Sequence, residues 1–316
     1  MKKIILLPII LGSILLIGGG IVFGMAIANK TNDVITNTYD LTDTYNDFDI
    51  KLSTSSLKFE PSTDGTTKVV CVERKKEYHD VSVIDNKLSI QFHNDLKWYE
   101  RIFIFDWQPR KVTVYLPAKA YGDLNVKSST GSITIPSDFS FNSLNAKLHT
   151  GSLNFNCNVT TLTKAEASTG SIRLNNMTTS ELNVKVSTGS IVMKNVEVTT
   201  DATFKASTGS TVLENFKAEN VTATSSTGGV RLTDTLINTH VQIKCDTGSV
   251  KLERSDAETL DIETDTGSIN VNLLTTKIFD AKSGTGSVNV PNASTWSGGV
   301  CRLKTNTGSI KATVGA

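Results

Sequence analysis

Histidine, cysteine, tryptophan and proline are scarce in this chain, at four, four, three and six among 316 residues. His79, His93, His149 and His240 stand in unrelated contexts with no HxH or HxxxH pair, so no histidine metal centre or acid–base pair is written into the sequence. His149 occupies the place of a serine before a Thr-Gly corner and reads as a surface turn residue. Cys71, Cys157, Cys245 and Cys301 lack the paired spacing of a zinc site. There is also no excess of either charge: 20% of residues are charged and the formal net charge is +1, which excludes disorder and bulk nucleic-acid binding. Neither a calcium-binding GGxGxD repeat nor a phosphate-binding glycine loop occurs. The expectation is a non-enzyme without metal or cofactor.

What the chain has in abundance is a repeat. Thr-Gly recurs with its glycines at Gly131, Gly151, Gly170, Gly189, Gly209, Gly228, Gly248, Gly267, Gly286 and Gly308, spaced by 19 to 22 residues. A fixed period of that size marks stacked units that bury their apolar faces only against one another. Five residues before the glycine every repeat is apolar, from Val126 and Ala146 to Ala281 and Leu303. Two and four residues after it the apolar character returns, as in Ile133 and Ile135 or Ile172 and Leu174, with Thr211 the exception. This alternation is the period-two pattern of strands with one buried face. Glycine fits the corner between them because it reaches positive φ without a Cβ penalty. The prediction is an all-β, single-stranded β-solenoid of about ten coils of 19–20 residues over 121–316, with a third apolar side near Phe139, Val159 and Phe216. An antiparallel meander fits the same faces, but two-residue hairpin loops favour Asn-Gly or Asp-Gly, and the corners use neither. In the coil, Cys245 and Cys301 fall three repeats apart, on the order of 14 Å and beyond disulfide reach. Free, buried thiols are therefore expected in the repeats.

The N-terminal end suggests a location. Lys2 and Lys3 precede an uncharged run over residues 4–28, long enough to cross a bilayer. The positive-inside rule then leaves the N-terminus cytoplasmic and the rest of the chain extracytoplasmic. A cleaved signal peptide is the competing reading, since Ala26-Ile27-Ala28 has the small-x-small form, although the apolar run exceeds the usual length of such a segment. Residues 29–46 are polar and read as a linker. Residues 47–120 keep the strand-like alternation without Thr-Gly and read as irregular opening coils that cap the stack.

Two surface features stand out. Four residues before the glycine, on the outward face, are Lys127, Lys147, Lys185, Lys205, Lys244, Lys282 and Lys304, interrupted by Glu166, Thr224 and Glu263. Arg173, Arg231, Lys251 and Lys311 follow three residues after it, and acids such as Glu197, Glu214, Asp234 and Glu253 fall on the third side. Such a basic stripe suits an anionic polymer or lipid surface, or else serves only to keep a long β face soluble. The segment DLKWYERIFIFDWQP gathers Trp98, Tyr99 and Trp107, an aromatic set that grips a partner or covers the first coil. Asp246 and Asp265 share a column in adjacent repeats, the acids nearest to what a carbohydrate-active β-helix enzyme would need, but turn capping is the simpler role.

The repeated units VKSSTGSITI, AEASTGSIRL, VKVSTGSIVM and FKASTGSTVL, behind a β segment ending in VTVYLP, resemble the bacterial putative-adhesin family, whose domain has no established biochemical function. The resemblance covers roughly residues 45–312 and implies a cell-surface β-solenoid with no catalytic motif. The basic stripe makes an anionic envelope polymer or surface the expected partner, and the resemblance, through members similar to proteins beside envelope-stress regulators, adds a membrane protein partner as the alternative.

Overall fold

The computed structural model describes residues 34–98, 110–292 and 299–315. The expected transmembrane helix, Tyr99 and Trp107 lie outside them. Among the described residues no helix is long and apolar enough to cross a membrane.

The strands in chain order are β1 (Val34–Leu41), β2 (Asp47–Lys51), β3 (Ser55–Pro61), β4 (Thr67–Arg74), β5 (Glu77–Ile84), β6 (Lys87–Asn94), β7 (Arg110–Leu116), β8 (Ala120–Ile135), β9 (Ser140–Phe155), β10 (Asn158–Val159), β11 (Leu162–Thr179), β12 (Glu181–Val198), β13 (Asp201–Thr208), β14 (Thr211–Thr227), β15 (Val230–Thr233), β16 (Leu236–Thr247), β17 (Val250–Ser255), β18 (Thr259–Thr266), β19 (Ile269–Leu273), β20 (Ile278–Thr285), β21 (Val288–Asn289), β22 (Val300–Thr307) and β23 (Ile310–Val314). From β8 onward all pairing is parallel and in register with the repeat: Thr169 lies beside Thr188, Gly170 beside Gly189 and Ser171 beside Ser190. Parallel ladders of equivalent residues are what a solenoid requires and an antiparallel meander forbids.

Burial follows the alternation. Val126, Ala165, Val184, Ala223 and Ile243 on the arm before each corner and Ile133, Ile172, Ile191, Val230 and Val250 on the arm after it all lie inside one continuous core. At about 25 cal/mol per Å² of apolar surface, this interdigitated column is the main favourable term, and no repeat owns it alone. The corner glycines have φ between 134° and 155°. Their backbones are also crowded: a Cβ on Gly151, Gly170, Gly189 or Gly209 would sit 1.7 Å from the carbonyl oxygen of the preceding corner glycine. Glycine is thus demanded twice, by conformation and by stacking.

A second corner carries no glycine. Asn176, Asn195 and Asn215 take φ of 50°, 54° and 48°, the left-handed region that asparagine tolerates. Their amides join into a ladder, Asn195 Nδ2 donating to Asn176 Oδ1 at 2.8 Å and Asn215 Nδ2 to Asn195 Oδ1 at 2.9 Å. Where the column continues as Asp234 and Arg254, also at positive φ, a two-pronged ion pair of 2.6 and 2.8 Å replaces the amides.

Two expectations need correction. Part of the polar stretch read as a linker is strand β1, which pairs antiparallel with β4 from Val34–Arg74 to Leu41–Thr67. Only one of its faces is half-buried, so its apolar signal is weak. The opening segment is also more than irregular coils. β2 and β3 do continue the parallel stack beyond β8, and β6 and β7 add a further rung. Antiparallel β5 on β6, and β4 with β1 on β7, then close that end. Its core is aromatic: Tyr45, Phe48, Phe59, Tyr121, Phe139 and Phe141 pack with ring centroids 5.3–6.5 Å apart.

The far end departs from chain order. β18 and β19 pair with β22 and β23, which pair in turn with β20 and β21. The rung of Gly308 is therefore inserted between those of Gly267 and Gly286. The segment after Gly308 lies inside the stack, and β20–β21 is the outermost described rung.

Candidate functional site

The outward position of the arm before each corner becomes one continuous file. Lys51 leads it, paired with Lys127, and then follow Lys147, Glu166, Lys185, Lys205, Thr224, Lys244, Glu263, Lys304 and Lys282. The structure brings all seven predicted lysines together, adds Lys51 from a segment without the repeat, and reverses the order of Lys282 and Lys304. Lys51 carried no repeat signal, because its corner lacks Thr-Gly.

The acids divide this file. Glu166 lies 3.1 Å from Lys164 and 3.6 Å from Lys147. Burial raises its pKa, but the two ammonium groups outweigh that and hold the carboxyl below its usual range. Glu263 takes a 2.5 Å bond from Lys304, which lowers its pKa as well. Lys127, Lys185, Lys205 and Lys244 have no ion pair with a described residue. Lysines on adjacent rungs, Lys127 between Lys51 and Lys147 and Lys185 beside Lys205, repel by roughly 0.9 kcal/mol per pair in bulk water before screening, whereas Lys244 lies between Thr224 and Glu263. At the capped end Lys51, Lys127 and Lys147 rim an open recess of about 260 Å³ floored by Ser128 and Leu148, with Ser129, His149 and Ser168 beside it. His149 thus stands at a basic recess as well as at a turn.

Arg173, Arg231 and Lys251 do not join this file. They lie on the outer face of the other arm, where Arg231 and Lys251 are neighbours and line a second recess of about 650 Å³ with Ser210, Ser249 and Asn270. Lys251 is partly neutralised by Glu253 at 2.6 Å. On the third side Glu214 pairs with Lys194 and Asp234 with Arg254, so that side is not a bare acidic strip. Asp265 accepts a bond from Asn306 Nδ2 at 3.0 Å, a turn contact. Trp98 is 74% exposed.

One chemically rich cluster escaped the sequence reading, because its members are distant in type and spacing from any motif. Cys71, Glu73 and His79 are fully buried near the capped end, with potential ligand atoms within 4.8 Å of one another. His79 Nδ1 meets Glu73 Oε2 at 2.8 Å, and Nε2 faces Ser55 Oγ at 3.5 Å. Glu73 also accepts from the His79 backbone N–H at 2.8 Å and from Asn37 Nδ2 at 2.6 Å. With both carboxylate oxygens engaged and every member shut from solvent, the arrangement joins β1, β3, β4 and β5, and offers a substrate no approach. Burial first, then the Glu73 carboxylate, pushes the Cys71 thiol up to about 12.

A family model described as Toastrack DUF4097 matches residues 45–257 and 203–315. No curated protein matches the chain. Among solved structures, a putative adhesin from Bacteroides fragilis NCTC 9343 is 17% identical, with 90% of this chain and 98% of that one covered and a TM-score of 0.35. A putative adhesin from Parabacteroides distasonis ATCC 8503 is 13% identical, with 89% and 97% covered and a TM-score of 0.36. A putative lipid binding protein from the same organism is 14% identical, with 88% and 96% covered and a TM-score of 0.33.

Proposed function

Because the chain belongs to the Toastrack DUF4097 family, a family of unknown function, we propose from its surface that it is a non-enzymatic, adhesin-like protein of the cell envelope that binds an anionic polymer along its lysine file. The observation that carries this reading is the stacking of lysines on adjacent rungs, Lys51, Lys127 and Lys147 at the capped end and Lys185 beside Lys205 further along, with Lys127, Lys185 and Lys205 in no ion pair with a described residue. Like charges on adjacent strands disfavour the free protein, and a chain of regularly spaced phosphates laid along the rod would relieve that repulsion. The N-terminal apolar run holds the rod outside the membrane with its capped end nearest the bilayer.

The test is pull-down of the full chain on purified cell wall, teichoic acid and anionic vesicles at low and high salt. Binding to one of these surfaces that weakens with salt, and is lost in Lys185→Glu/Lys205→Glu, is the expected result. Binding indifferent to both salt and the substitutions would remove the lysine file from the mechanism. The strong exposure of Trp98 beside the cap favours a second reading, an envelope-stress accessory protein that meets a membrane protein partner there. Crosslinking through position 98 to a membrane protein, with the polymer arm silent, would select it.

A further inference from the structure

The outermost rung carries an unfinished edge. Among the described residues β20 pairs on one side only, with β22. The Ile278 N–H donates to the Gly299 carbonyl at 2.9 Å, so in the alternation of a parallel ladder Ile278, Asp280 and Lys282 turn their backbone groups toward β22. Phe279, Ala281 and Ser283 direct theirs to the open side. Phe279 and Ala281 are only half-buried, whereas Cys301 and Leu303, one rung inward, are 0% and 1% exposed. Ile278 and Val288 at this end are 44% and 42% exposed. The opposite end is closed by antiparallel strands, so the two ends are not equivalent.

We propose that this edge pairs with the same edge of a second copy of the chain, antiparallel about a twofold axis through Ala281. Charge selects that occupant and that register. With Ala281 opposite the partner's Ala281, the backbone groups facing outward meet as hydrogen-bonded pairs, Ala281 with Ala281 and Phe279 with Ser283. Asp280 then lies opposite the partner's Lys282, and Lys282 opposite the partner's Asp280. Both are non-hydrogen-bonded positions, where side chains approach most closely. Moving the axis to residue 279 places Asp280 opposite Ile278 and Lys282 opposite Thr276. Moving it to residue 283 places them opposite Gly286 and Gly284. Only the Ala281 register satisfies both charges, and neither Asp280 nor Lys282 has an ion pair with a described residue, although Asp280 lies beside Arg302. An isologous contact of this kind closes after two subunits, gives the exposed edge a partner, and makes a rod of double length with the two capped ends outermost. The inference does not depend on polymer binding, since it concerns the end of the rod and reads out as mass.

The experiment is sedimentation velocity of the full chain in detergent across a concentration series, with a charge-swap cycle at two exposed residues. The wild type should form dimers and nothing larger. Asp280→Lys alone and Lys282→Asp alone each set like charges face to face twice in the dimer, and each should weaken dimerisation by about tenfold or more. The double variant Asp280→Lys/Lys282→Asp should return to within about threefold of wild type. Circular dichroism of each variant separates loss of association from loss of fold. A monomer at every concentration, assembly that continues past two, or a double variant as weak as the singles would overturn the proposal.

Discussion

At the level of single residues the sharpest demands fall on atoms that are absent. Gly170→Ala must place a methyl 1.7 Å from the Gly151 carbonyl oxygen at a φ of 134°, and neither backbone can move without disturbing the next rung. A loss of roughly 3 kcal/mol or more is expected in urea unfolding. Gly65→Ala serves as the control: its φ is 74° with nothing within 4 Å of the added Cβ, so only the left-handed backbone costs, about 1–2 kcal/mol. The need for positive φ was legible in Thr-Gly; the carbonyl beneath it was not, because it belongs to another repeat. Thr211 was legible as an exception in an apolar column, and it proves to be 1% exposed with Oγ1 unpartnered. Thr211→Val should therefore raise stability by about 1 kcal/mol, read from the same unfolding curves. Burial pushes Cys157 and Cys301 up to about 12 and Cys245 up to about 11. A thiol raised above its unfolded pKa of about 8.5 binds its proton more tightly when folded, so its contribution is complete below that pH and is lost as pH climbs toward the folded value. Melting temperature should fall between about pH 8.5 and 11, less steeply in Cys157→Val than in wild type. A thiol reagent at neutral pH should label none of the four until the protein is unfolded.

Among elements, the second corner shows how far periodicity carries. The apolar columns place the strands, yet the asparagines that turn the chain after them sit among other polar residues, and only their left-handed φ and amide ladder single them out. Asn195→Gly keeps the backbone conformation and loses two side-chain bonds, whereas Asn195→Ala loses the bonds and adds left-handed strain. The alanine variant should be the less stable by about 1 kcal/mol in thermal or urea unfolding; equal stability would assign the column no conformational role. β1 went unread for a different reason: its half-buried face presents Ile35, Asn37, Tyr39 and Leu41, and an asparagine in that row interrupts the alternation. Asn37 is there to reach Glu73, so the residue that hid the strand also ties it into the polar cluster. The order of the last rungs was equally illegible, since equivalent repeats can pair with one another in any sequence that the connecting loops permit.

Over the whole molecule, the lysine file is continuous in space and broken in charge. Glu166 neutralises its surroundings between Lys147 and Lys185. Glu166→Lys would join the three-lysine end to Lys185 and Lys205, and the salt sensitivity of polymer binding should steepen while affinity at low salt rises by about tenfold, checked by pull-down across a salt series. Unchanged binding would mean that the stripe serves solubility alone. The file itself was readable because outward positions keep the same period as the core; the recess at Lys51 was not, since it forms where repeat meets cap. The inserted rung has a further consequence, for the order of events. β20 and β21 leave the ribosome before β22 and β23, yet meet the rod only through them. During synthesis the outermost rung must wait unpaired, so the rod's free end becomes a late product whose presence reports that β22 and β23 have been made and have docked.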